Sequence, residues 1–452
     1  MTDLLTPIQE ALDLPVTALA FTEAGALPST FAVTDLASAS IGAAGQAVAR
    51  LLLQQTGRLP AVTVDRRLAS FWFSSSLRPD GWATPPLWDP IAGDYACADG
   101  WIRLHTNAPH HRAAAERVLG QAADREAMAA KVAQWNAAEL EQAIVEANGC
   151  AAQMRSWQDW QAHPQGLAVN QEPLVHRQTF AALSDKPWRG SVARPLAGIK
   201  VLDLTRVLAG PTASRFLAGL GADVLRIDAP DWNEPGVVPE MTLGKRCARL
   251  DLKNADDRQI FESLLKDTDI LLHGYRADAL EQLGYGEAAL QALAPGLIDA
   301  SLNAYGWSGP WRNRRGFDSL VQMSTGIAEA GRQWKKADKP VPLPLQALDH
   351  ATGYLMAAGA IQALSERLKS GRGGSALLSL ARTAKLLMDA GQVQEQPPLR
   401  AEEPSDQGLV VEQTAWGPAH RLLPPVTISG TPLQWDLPAM RPLQSPSICP
   451  VQ

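Results

Sequence analysis

Asp349 is the residue whose type and setting could carry covalent chemistry. It follows the extended run Pro342-Leu343-Pro344-Leu345 and starts a stretch in which Tyr354, Ala357, Ile361, Leu364 and Leu368 recur at helical spacing. A carboxylate at a helix start can cap the helix by accepting a backbone N–H. It can equally act as a nucleophile where the same N–H groups stabilise a developing oxyanion. The two roles share one geometry, and both stand. Asp318, after Arg315-Gly316-Phe317, reads first as a second N-cap. The loop Tyr305-Gly306-Trp307-Ser308-Gly309-Pro310 follows a predicted strand, a position at which open α/β sheets bind ligands. Its Gly and Pro residues serve an ordinary turn equally well.

Other chemistries lack their motifs. No G-x-G-x-x-G follows the strand predicted at Val201–Leu204, and no P-loop or G-x-S-x-G elbow occurs. His110 and His111 are adjacent, which suits the surface of a helix start better than shared ligation of a metal. Cys97, Cys150, Cys247 and Cys449 are far apart and lack metal spacing, so neither a metal site nor a disulfide framework is expected. Eight of the fourteen tryptophans precede residue 190, which points to packing or a large interface.

The elements that must position Asp349 are clearest after Gly198. Ile199–Leu204 and Asp223–Asp228 read as buried strands, joined by a turn at Arg206–Gly210 and a helix from Pro211 to Leu220. A helix at Asp256–Lys266 and strands at Ile270–Leu272 and Leu297–Leu302 continue the alternation. That alternation predicts an open, doubly wound, mostly parallel α/β sheet. Earlier, Asp99-Gly100 marks a hairpin between Tyr95–Cys97 and Trp101–Leu104, with helices expected at 109–119, 124–134 and 139–147. A small α+β unit fits that order. Residues 35–58 also match residues 349–372: Asp35 pairs with Asp349, Gly57 with Gly371 and Arg58 with Arg372. We read a duplicated Asp–helix–turn–strand element.

Composition sets the outer limits. With 46% hydrophobic residues over 452 positions the chain can bury sizeable cores. Forty-one basic against 47 acidic residues leave a net charge of −6, no footprint for nucleic acid. No run approaches 18 apolar residues, which excludes a spanning helix, and the first residues do not read as a signal peptide. A cytoplasmic globular protein, binding neither nucleic acid nor membrane, is the expectation.

Ordered motifs then carry a resemblance. Pro195–Leu204, Arg206-Val207-Leu208-Ala209-Gly210-Pro211 and Leu220–Val224 resemble the opening of the family III CoA-transferases, the formyl-CoA transferase, carnitine CoA-transferase and α-methylacyl-CoA racemase superfamily. Gly244-Lys245-Arg246, Leu283–Gly286, Gly316-Phe317-Asp318, Asp349 with its helix, and Ser429–Pro432 continue it. Asp99–Ile102 and Arg155–Trp160 are similar to the family's small domain but stand out of order, as in a rearranged or fused form. The resemblance implies an interlocked homodimer and these units: a repeat element (1–84), a small α+β domain (85–165), a linker (166–194), a Rossmann-like CoA-binding domain (195–390), a second linker (391–415) and a returning tail (416–452).

It also implies an acyl-CoA:carboxylate CoA-transferase, with coenzyme A or acyl-CoA as substrate, a small carboxylate as partner and no metal. Asp349 would be the nucleophile. Val207, Lys245, Tyr275, Arg276 and Asp318 would contact CoA. The departures are Ala229 and Gln282, where the family often has phosphate-binding arginines, and Phe317, where the racemase branch has histidine. The alternatives are a racemase-like isomerase and a non-catalytic homologue.

Overall fold

The central sheet lies in the second half of the chain in a computed structural model that describes residues 2–441. Its strands are β1 (His176–Leu183), β2 (Lys200–Leu204), β3 (Asp223–Asp228), β4 (Lys245–Arg249), β5 (Ile270–His273), β6 (Ile298–Asn303) and β7 (Arg372–Ser379). Their spatial order is β4-β3-β2-β5-β6-β7-β1. All neighbours are parallel except β1, which runs antiparallel to β7 at the edge. Strands buried on both faces explain the continuous apolar runs. Val201, Val224, Ile270 and Ile298 feed one layer of core, whereas Leu202, Leu225 and Leu271 feed the other. The mixed α/β class with a mostly parallel sheet is as expected. The order of strands reverses between β2 and β5, so a crevice opens beyond their C-terminal ends.

The helices that matter here are α1 (Val33–Thr56), α2 (Arg66–Trp72), α3 (Pro109–Leu119), α4 (Ala209–Gly219), α5 (Asp318–Ser324), α6 (Ala347–Ser370) and α7 (Leu380–Asp389). The duplication is physical. Helices α1 and α6 each have 24 residues, carry their aspartate at the third position and end on a left-handed glycine, Gly57 or Gly371, at φ 73°. They pack on each other in the core. The likeness continues further than the sequence showed. A strand follows each helix, then α2 or α7, capped by Asp65 onto Leu68 N or by Ser379 onto Arg382 N. Among the described residues, α1 is also the one helix long and apolar enough to cross a membrane, and here it is a buried core helix.

Two stretches expected as linkers are built into the fold. Strand β1 escaped notice because Phe180 alone of its residues is buried, as suits a sheet edge. Residues 391–408 are pinned instead of loose: Arg67 forms a buried ion pair with Asp406 and donates to Arg400 O and Ala401 O. In the first half, Gly93–Ala96, Trp101–Leu104 and Ala151–Gln153 form an antiparallel sheet with its own core around Ile102, Leu104, Leu140 and Ile144. Cys449 and the end of the tail, residues 442–452, lie outside the described residues.

Candidate active site

The end of β2 is made rigid by a buried carboxylate. Asp203 accepts from Thr205 N at 2.9 Å, Ser214 Oγ at 2.5 Å and Lys245 Nζ at 3.3 Å. The chain then turns through Val207 at φ 64°, a left-handed conformation that strains a β-branched residue. Glu234 holds this turn by accepting from Val207 N at 2.9 Å, and accepts from Trp232 Nε1 at 2.8 Å. Arg206 projects between two aromatic faces, 4.4 Å from the ring centre of Trp232 and 5.7 Å from that of Tyr275. Such stacking orients a guanidinium while leaving N–H groups for an anion.

A cavity of about 340 Å³ opens beyond β2 and β5, at the crevice where the strand order reverses. Val207, Tyr275, Arg276 and Asp349 line it, as do Arg206, Arg315, Phe317, Leu380, His110 and His111. Thus the two halves of the chain meet at one site. Asp349 sits at the first turn of α6, and its own backbone N–H donates to Asp318 Oδ2 at 2.9 Å. Asp318 is fully buried and also accepts from Gln322 Nε2 at 2.5 Å. The amide oxygen of Gln322 in turn accepts from Leu343 N at 2.7 Å, tying down the run that leads into α6.

Burial raises both acids. Asp349 is pushed well above the usual carboxylate range, first by burial and then by the charge of Asp318. Asp318 is raised to about 6 by burial, an effect opposed by the backbone N–H of Asp349 and the amide of Gln322. Like charges held this close do not ionise independently. The hydrogen bonds from Asp349 N and Gln322 favour the negative charge on Asp318 over Asp349.

Two expected CoA contacts are not at the cavity. Lys245 is fully buried, donating to Asp203 and to Pro211 O at 3.0 Å, and burial lowers its pKa to about 8. It lies on β4, behind the turn, so it cannot offer its charge to a ligand there. Asp318 positions the backbone of Asp349 and does not line the cavity. The N–H groups of Thr205 and Val207 are taken by Asp203 and Glu234, so they are not open to a ligand. Arg249 donates to Ala229 O, Pro230 O and Trp232 O, fixing the loop where an arginine was missed. Gln282 donates to Asp278 at 2.7 Å and stays clear of the cavity.

Sequence reasoning missed Arg206 and Arg315, although each adjoins a motif it used. It also placed His111 on the surface. His111 is buried, neither ring nitrogen has a hydrogen-bond partner among the described residues, and burial, with His110 and Arg315, lowers its pKa to about 3. His105 stacks face to face on Phe317, with ring centres 3.7 Å apart.

Known proteins resemble this chain over part of its length. An acetyl-coenzyme A transferase, nodX, of Hypoxylon pulicicidum is 34% identical over 40% of this chain and 31% of its own length. An acyl-CoA transferase of Gibberella moniliformis is 29% identical over 61% of this chain and 53% of its own. The crystal structure of Rv3272 from M. tuberculosis matches 42% of this chain and 56% of that one, with 30% identity and a TM-score of 0.38. The chain therefore spans about half or less of the length of these curated relatives. The segment that matches the model of CoA-transferase family III, residues 196–419, contains β2 to β7, the crevice between β2 and β5, and both aspartates. That segment, just under half of this chain, is similar to CoA-transferase family III.

Proposed function

We propose that the protein is an acyl-CoA:carboxylate CoA-transferase working through a covalent intermediate on Asp349. The observation that carries this reading is a buried carboxyl, without a cation partner among the described residues, on the wall of a crevice that also presents Arg206, Arg276 and Arg315. The arginines would meet the phosphates of CoA, and Tyr275 would stack on the adenine. They stand in for Lys245 and for the arginines absent at Ala229 and Gln282.

The ionised Asp349 attacks the thioester carbonyl and expels CoA thiolate, leaving an acyl–aspartyl anhydride. The thiolate attacks the aspartyl carbon of that anhydride, forming an aspartyl thioester and releasing the donor carboxylate. An acceptor carboxylate repeats the sequence in reverse and leaves as its own thioester, regenerating Asp349. Two covalent steps replace one difficult exchange. The helix start behind Asp349 is anchored by Asp318, which keeps the nucleophile in place.

The quaternary part of the proposal is a homodimer in which each chain carries Asp349 and the arginines that line its cavity. Incubating acyl-CoA thioesters with carboxylates and reading products by mass spectrometry tests the activity. Transfer by the parent protein and none by Asp349→Ala is expected; transfer by both would remove Asp349 from the chemistry. The isomerase reading is favoured by one observation, the neutral His111 with both ring nitrogens unpartnered at the cavity wall. Deuterium incorporation at the α-carbon of a branched thioester in D2O would support it.

A further inference from the structure

A second cavity, of about 220 Å³, adjoins the first and shares Val207, Trp232 and Phe317 with it. Phe317 lines both cavities and Asp349 lines the first, so the two spaces adjoin through the ring of Phe317. Its far wall comes from the other half of the chain, through Leu87 and Trp88, while Val237 lines it from the large-domain side. His105 stacks on Phe317, and Trp88 meets His105 edge-on with ring centres 5.9 Å apart, so one end is a continuous aromatic surface. His105 is neutral there, burial having lowered its pKa to about 3.

The charge pattern separates the two spaces. Among the described residues no lysine or arginine lines the second cavity, whereas four arginines line the first. The acids at its edge are already paired, Asp89 with Arg112 at 3.0 Å and Glu234 with Arg226. A carboxylated acyl group would lose its hydration here without gaining a cation. An uncharged apolar group would bury its surface against rings. For scale, a dry cavity of about 150 Å³ accommodates a benzene molecule.

We infer that this cavity receives the acyl group of the thioester, and that the donor carries a compact apolar or aromatic acyl group instead of a small dicarboxylic one. The inference rests on the transferase reading above. Calorimetric titration of the full chain with CoA, benzoyl-CoA and succinyl-CoA tests both and keeps them apart. Benzoyl-CoA is expected to bind about tenfold more tightly than CoA, and succinyl-CoA no more tightly than CoA. Leu87→Glu, at a residue 58% exposed, should bring the benzoyl-to-CoA affinity ratio towards one. Val237→Trp, which fills the cavity from the opposite wall, should do the same. If CoA binds but benzoyl-CoA gains nothing, or succinyl-CoA gains as much, the acyl assignment is wrong and the transferase reading stands. If CoA does not bind at all, both fall.

Discussion

Arg66 stands 2.5 Å from Asp35, and the residue at the matching place in the second copy is Leu380, which lines the cavity beside Asp349. One position therefore separates an aspartate neutralised by a guanidinium from one left to titrate. Asp349→Ala should abolish transfer with the fold intact. Asp35→Ala should keep transfer yet cost about 3–5 kcal/mol, because it strands a buried Arg66 without its partner. That exceeds the roughly 0.5–2 kcal/mol of a lost helix cap. Replacing both members, as Asp35→Leu with Arg66→Leu, should recover most of the loss in urea unfolding; no recovery would mean the pair is not what holds this site. A second prediction concerns pH. Burial and the charge of Asp318 both raise Asp349, so transfer should increase as pH rises and Asp349 ionises. Asp318→Asn removes the charge but keeps an oxygen for Asp349 N, so the acid limb of kcat/KM should move to lower pH. An unmoved limb would show that burial alone sets the titration.

At the scale of elements, the approach of α6 to α4 decides where Asp349 lies. A Cβ at Gly353 would come 2.2 Å from Ala209 O, so the glycine lets helix α6 close onto the turn that follows β2. Gly353→Ala should cost about 1–3 kcal/mol through overpacking and should lower kcat more than it raises KM, since it displaces the nucleophile. A change in KM alone would count against that. The same scale explains what the sequence could reveal. Strands β2, β3, β5 and β6 were legible because burial on both faces demands unbroken apolar runs. The helix carrying Asp349 was legible from its apolar periodicity, and its partner α1 from the repeated Asp and Gly-Arg. The edge strand β1 was not, because one buried side chain in eight leaves no pattern. Lys245 misled because its acidic partner lies 42 residues away on β2, a pairing fixed by strand order alone. His111 was hidden for a related reason: besides His105 and His110, its surroundings include Phe317 and Arg315 from the other half of the chain.

For the whole molecule, the question is what a second chain would add. In a two-fold assembly the same patch of each subunit meets its own copy. Here two copies of one element, α1 and α6, meet within a single chain, and both helices are buried for most of their length. The face of α6 that a second α6 would occupy is therefore already covered. A homodimer of this protein would then use another surface. Light scattering at micromolar concentration should give about twice 48.5 kDa. If Arg206, Tyr275, Arg315, Asp349 and His111 of one chain make up the whole site, dilution that dissociates the dimer should leave transfer per chain unchanged. Activity that falls in step with dissociation would mean that a residue from the second chain completes the site. A single-chain mass with full activity would remove the dimer and leave the catalytic assignment untouched.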